Sequence, residues 1–144
     1  MKTTPTSRRT ALAVLLLAGL IAGCASTISA SKAMVTLSGS NEVPAVVTPA
    51  SGDAWFTVDR DWTVNGKVTT NGIAGTAAHI HEARQGENGP VIVPLARTGD
   101  NEWSVPPNTR LTETQFKSYR AGSLYVNVHS AAFPGGEIRG QLTP

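Results

Sequence analysis

Two histidines with one residue between them, His79 and His81 in AHIHEARQGENGPV, and a third, His129 in SLYVNVHS, are all the histidines of this chain. On an extended strand the side chains at i and i+2 share a face, with Cβ atoms about 7 Å apart, and two imidazoles can close that span around one ion through bonds of about 2 Å. His79 and His81 thus form a geometrically competent pair, while Ala78, Ile80 and Glu82 take the opposite face. In the second segment Leu124, Val126 and Val128 make an apolar face and leave Tyr125, Asn127 and His129 on the other. If the two strands are neighbours, His129 completes a three-nitrogen site.

Three imidazoles without thiolate or carboxylate suit copper(II) or zinc, and the Irving–Williams order favours copper. A fourth position is left to water, an anion or a neighbouring hydroxyl. Tyr125 and Asn127 are candidates to line such a site. Glu82 could orient a ligand histidine from behind, although its alternation points it away from the pair and toward a solvated role. The competing reading makes the three histidines hydrogen-bonded members of a polar patch with no ion.

Other chemistries find little support. The chain has no Ser-His-Asp set with a nucleophile elbow, no G-x-x-x-x-G-K-[ST] phosphate loop, and a single cysteine, Cys24. Asp59 and Asp61 flank Arg60 in what reads as a solvated hairpin end. The turn GENGP, residues 86 to 90, reads as the loop by which the histidine strand leaves the site, with no chemistry of its own.

The elements that must position these residues are short runs rich in Val, Thr, Ile and Trp, punctuated by Gly, Pro, Asn and Asp. Strands are expected near 33–39, 52–59, 61–70, 75–83, 91–96, 102–105, 123–130 and 136–142, with an irregular connection over 41–50. One segment differs: in LTETQFKSYRAG, 111–122, Thr112 and Gln115 have capping-box spacing and Gly122 is a stop signal, which predicts one short helix packing Leu111, Phe116 and Tyr119 inward. The fold class expected is all-β, an antiparallel Greek-key β-sandwich of the superoxide dismutase-like or immunoglobulin-like kind with one short helix.

The N-terminus, MKTTPTSRRTALAVLLLAGLIAGC, places Lys2, Arg8 and Arg9 before an apolar run too short to span a bilayer, which reads as an export signal over residues 1–23. LIAGC resembles a bacterial lipobox, which implies lipidation of Cys24 and stable membrane anchoring through more than one acyl chain. A plain secretory peptide with a free cysteine is the alternative. SRRTAL partly matches the twin-arginine signal, so export could run by either that route or the general secretory one. Ala25 after the cysteine, by resemblance to Gram-negative lipoproteins, points to the periplasmic face of the outer membrane. Residues 24–32 then form a tether and 33–144 the domain. Without residues 1–23, nine of the twelve basic residues remain against ten acidic ones, and no basic cluster is present to hold nucleic acid.

Three blocks, TLSGSNEVPAVVTPASGDAWFTVD, AAHIHEARQGENGPVIVPL and LTETQFKSYRAGSLYVNVHSAAFPGGEIRGQL, resemble the CHRD domain, a module named from chordin and widespread in bacterial exported proteins. The resemblance runs from Ala33 to Leu142 and implies a β-sandwich without fixing an activity. HIHE and NVHS are also distantly similar to the copper-ligand strands of copper/zinc superoxide dismutase, which would map copper ligands onto His79, His81 and His129. The chain departs from that enzyme in lacking further histidines for a zinc position, a disulfide, and an arginine read as facing the site, since Arg139 alternates within the last strand. These departures argue for metal binding over turnover. The function expected is an exported, lipid-anchored copper-binding protein that exchanges metal with a donor or acceptor protein. The alternatives are a structural or glycan- and protein-binding module without metal, and a copper-dependent oxidoreductase.

Overall fold

The computed structural model describes residues 32–144 and Met1; the expected signal peptide, Cys24 and most of the tether lie outside the described residues. Strands β1 (Lys32–Ser38), β2 (Ser51–Val58) and β3 (Val64–Asn71) form an antiparallel meander. β4 (Gly75–Glu82), β5 (Val91–Pro94), β6 (Ala96–Gly99) and β7 (Glu102–Ser104) follow, then helix α1 (Glu113–Arg120), β8 (Leu124–Ser130) and β9 (Ile138–Leu142).

The strands order as β5-β4-β8-β9-β1-β2-β3-β7-β6. This sheet doubles over at the β9–β1 seam, where Ser38 pairs with Arg139, so that β5-β4-β8-β9 faces β1-β2-β3-β7-β6. The last strand returns beside the first, giving the 9-1-2-3 spatial order of a Greek key. The all-β sandwich with one helix is thus the fold the alternation predicts.

Alternation also explains the core. In β1 Ala33, Val35 and Leu37 are buried while Lys32, Met34 and Thr36 are exposed. They meet Phe56, Val68, Ile80, Leu124, Val126, Val128, Ile138 and Leu142 in one apolar cluster drawn from both halves. Gly66 pairs with Phe56 across β3 and β2, and a Cβ there would lie 2.1 Å from the Phe56 ring. The absent side chain gives the ring its place, as an aromatic covering a strand glycine does.

Two departures from the expected elements have local causes. The strand expected over 91–96 is two strands: Leu95 is buried and its N–H donates to the Ala78 carbonyl, so the chain turns from one half to the other between β5 and β6. The strand expected to start at Asp61 starts at Val64, because Trp62 takes a positive φ and the Asp61 carboxylate accepts from the Thr63 N–H in a tight turn. The helix forms as its signals require. The Thr112 hydroxyl accepts from the Gln115 N–H and the Gln115 side chain from the Thr112 N–H, and Gly122 takes φ +66° beyond the C-terminus.

The strand β8 is buried on both faces. Leu124, Val126 and Val128 enter the core, and Tyr125, Asn127 and His129 are covered on the outer face by loops. A roofed polar layer of this kind has to satisfy its hydrogen bonds or hold something that does.

Candidate metal centre

β4 and β8 are antiparallel neighbours, with His79 opposite Asn127, His81 opposite Tyr125 and Ala77 opposite His129. Directly paired residues share a face, so all three histidines project from the same side of the sheet. His81 and His129 are buried, and His79 is half-buried.

Their ring nitrogens converge. His79 Nδ1 lies 3.0 Å from His129 Nε2, and one ligand nitrogen from each histidine lies within 4.8 Å of the other two. Ligands at about 2 Å around one ion stand roughly 3.3 to 4 Å apart. The His79–His129 pair, at 3.0 Å, stands slightly inside that span, and the widest separation, 4.8 Å, slightly outside it, so side-chain adjustments of under about 1 Å separate the cluster from a ligand set.

Fixed hydrogen bonds choose which nitrogens are free. His81 Nδ1 lies 2.9 Å from the Gly89 carbonyl and His129 Nδ1 lies 3.0 Å from the Pro134 carbonyl, and a carbonyl can only accept. Each ring therefore carries its proton on Nδ1 and presents a lone pair at Nε2. His81 Nε2 is buried and has no hydrogen-bond partner. A backbone carbonyl behind the His81 and His129 rings is the arrangement that metal-binding histidines use to fix tautomer and orientation.

The surroundings favour the neutral form of His79 and His81. Burial, then repulsion from His129 and His81, holds the His79 pKa below its ordinary value. For His81 burial is again the largest cause; the Gly89 bond works against it, and repulsion from His129 and Arg139 adds to it. Neutral imidazoles are the form that binds metal.

Tyr125 stacks on His81 with ring centroids 4.7 Å apart and planes 8° from parallel. On its far side the Arg139 guanidinium sits 3.4 Å from the Tyr125 centroid. Arg139 is almost fully buried and donates to the carbonyls of Arg84 and Glu87 and to Asn88 Oδ1, pinning the turn that presents Gly89 to His81.

A family model described as the CHRD domain matches residues 34–142. This chain belongs to the CHRD domain family. No curated protein and no solved structure matches it. Within this CHRD domain the matched span contains every strand-borne histidine and all the loops that roof the outer face of β4, β8 and β9.

The expected site residues distribute as follows. His79, His81 and His129 come together, with Tyr125 stacked against them and Asn127 opposite His79. Glu82 neither backs a histidine nor faces open solvent; its Oε1 accepts from Ser118 Oγ at 2.6 Å and ties β4 to α1. It lies on the core side because alternation from Ile80 carries it there. Cys24 lies outside the described residues.

Sequence reading also missed three contributors. Arg139 shares the histidine face, since it pairs with Asn127 across β8 and β9, and that pairing could not be read before the strand order was known. The turn 86–90 supplies the Gly89 carbonyl to His81, a backbone role that no residue type signals. Glu42, from the connection over 41–50, is buried beside Asn127, and that connection gave no periodic pattern to place it.

Proposed function

We propose that this CHRD domain binds a metal ion, copper(II) above others, through His79, His81 and His129. The observation that carries the reading is His81 Nε2, a buried lone pair without a donor, aimed among two further imidazoles while its other nitrogen is held by Gly89. An unpartnered buried acceptor costs on the order of 1 to 3 kcal/mol, and a bound cation removes that cost. The choice of copper rests on the all-imidazole donor set and on the Irving–Williams order, with zinc the next candidate. Storage, delivery or protection fits a site with three fixed ligands, and exchange with a donor or acceptor protein is the corresponding partnership.

The export signal and the lipobox-like LIAGC support a lipid-anchored protein in the bacterial envelope, on the periplasmic face of the outer membrane. Titration of the domain with copper(II) against a competing chelator tests the binding claim. One equivalent bound by the protein and none by the His79→Ala/His81→Ala/His129→Ala variant is expected. Equal binding by both proteins removes it.

A further inference from the structure

Beside the histidines stands a second buried group without a partner. Asn127 is 1% exposed, and its Oδ1 has no hydrogen-bond donor. Strand register puts it opposite His79, diagonal to His81 and two residues before His129 on the same face. It therefore neighbours all three histidines on that face.

Its carboxamide has a defined orientation. Glu42 is buried next to it, and a Cβ on Gly136 would come within 2.4 Å of Glu42 Oε1 and 2.6 Å of Asn127 Nδ2, so glycine at 136 closes over the pair. Nδ2 is the amide atom on the Glu42 side, and Glu42 Oε1, which it approaches over Gly136, is itself buried with no completed hydrogen bond. Burial pushes the Glu42 carboxyl pKa up, while Arg139 and the Asn127 amide pull against that shift. With Nδ2 on the Glu42 side, Oδ1 is the amide atom left for the histidine side, where His81 Nε2 is likewise buried without a partner.

We propose that Asn127 Oδ1 is the fourth ligand of the metal centre, completing an N3O donor set, with Glu42 as the positioning residue that holds the amide oxygen toward the ion. The inference rests on the three-histidine metal reading. An amide oxygen is a hard donor, so its contribution goes to copper(II) and zinc and not to copper(I).

The test compares the wild-type protein with Asn127→Leu, which keeps the branching and removes the oxygen, and with Asn127→Asp, which keeps an oxygen donor and adds charge. Electron paramagnetic resonance of the copper(II) form and chelator competition for both copper oxidation states are the readouts. Expected for Asn127→Leu are a changed copper(II) spectrum, a loss of at least about tenfold in copper(II) affinity, and copper(I) affinity unchanged. Asn127→Asp restores copper(II) affinity with a spectrum shifted by its anionic oxygen. Wild-type spectrum and affinity in Asn127→Leu, equal weakening of both oxidation states, or a wild-type spectrum in Asn127→Asp would each overturn the assignment. Absence of copper binding by the wild-type protein is the separate result that removes the histidine centre itself.

Discussion

His79 Nδ1 and His129 Nε2 stand 3.0 Å apart across β4 and β8, and His129 is committed on its other side to the Pro134 carbonyl. The pair shares one proton in a hydrogen bond when no ion is present, so ligation of one ion by both nitrogens requires His79 to carry that proton on its Nε2 instead.

Metal should stabilise the fold. The ligands come from two strands and are held by two loops, a geometry absent from the unfolded chain, so free copper(II) at a hundred times Kd adds about 2.7 kcal/mol. For a domain of this size that raises Tm by roughly 10 °C, and a chelator reverses it. Differential scanning calorimetry checks this, and a Tm indifferent to copper contradicts it.

Acid should weaken the metal-free protein in a defined window. Both His79 and His81 have folded-state pKa values below the ordinary 6.5, through burial first. The unfolded chain then takes up protons near 6.5 while the folded chain does so only lower down. Their contribution is complete above 6.5 and is lost as the pH falls through the folded values. Glu42, whose pKa burial raises, acts in the opposite sense, so the comparison is with a His79→Gln/His81→Gln variant. Urea midpoints measured from pH 7.5 to 5.5 should fall more steeply for the wild-type protein, and parallel profiles would contradict this assignment.

Arg139→Met should loosen one loop selectively. The buried guanidinium donates to Arg84, Glu87 and Asn88 and covers Tyr125, so its loss strands several acceptors and costs roughly 2 to 3 kcal/mol. Amide hydrogen exchange is expected to rise at residues 84–89 well beyond the global change. Uniform exchange throughout the domain would show that Arg139 does not hold the turn.

Gly89→Ala should damage the site and spare the core. A Cβ at this position would fall 1.9 Å from the Glu82 carbonyl oxygen, so the turn has to move and takes the Gly89 carbonyl away from His81 Nδ1. Loss of such a supporting hydrogen bond typically lowers metal affinity by about 10- to 100-fold. Isothermal titration with copper(II) measures it, with the near-ultraviolet circular dichroism of buried Trp103 and Tyr119 as the fold control.

Strand alternation made much of this site legible before any coordinates. His79, His81 and His129 were assignable to the non-core faces of their strands because Ile80, Val126 and Val128 demand the core. What alternation cannot supply is which strands are neighbours, and Arg139 joins the histidine face only through the β8–β9 register. Nor does it describe a roof. β8 reads as one face in and one face out, yet Tyr125 and Asn127 are buried because loops from distant parts of the chain close over them. Backbone acceptors such as Gly89 and Pro134 leave no trace in residue type at all. The helix was legible down to its cap, since its signals are local, whereas Glu82 was legible only as facing away from the histidines, because its partner Ser118 lies across a tertiary contact.

The most direct measurement is the pulsed electron paramagnetic resonance spectrum of the domain loaded with one equivalent of copper(II), read for imidazole nitrogen couplings. Three equivalent-strength histidine couplings are predicted, reduced by one in each of His79→Gln, His81→Gln and His129→Gln. A spectrum of weakly bound copper with no histidine couplings, or one left unchanged by all three substitutions, contradicts the metal centre.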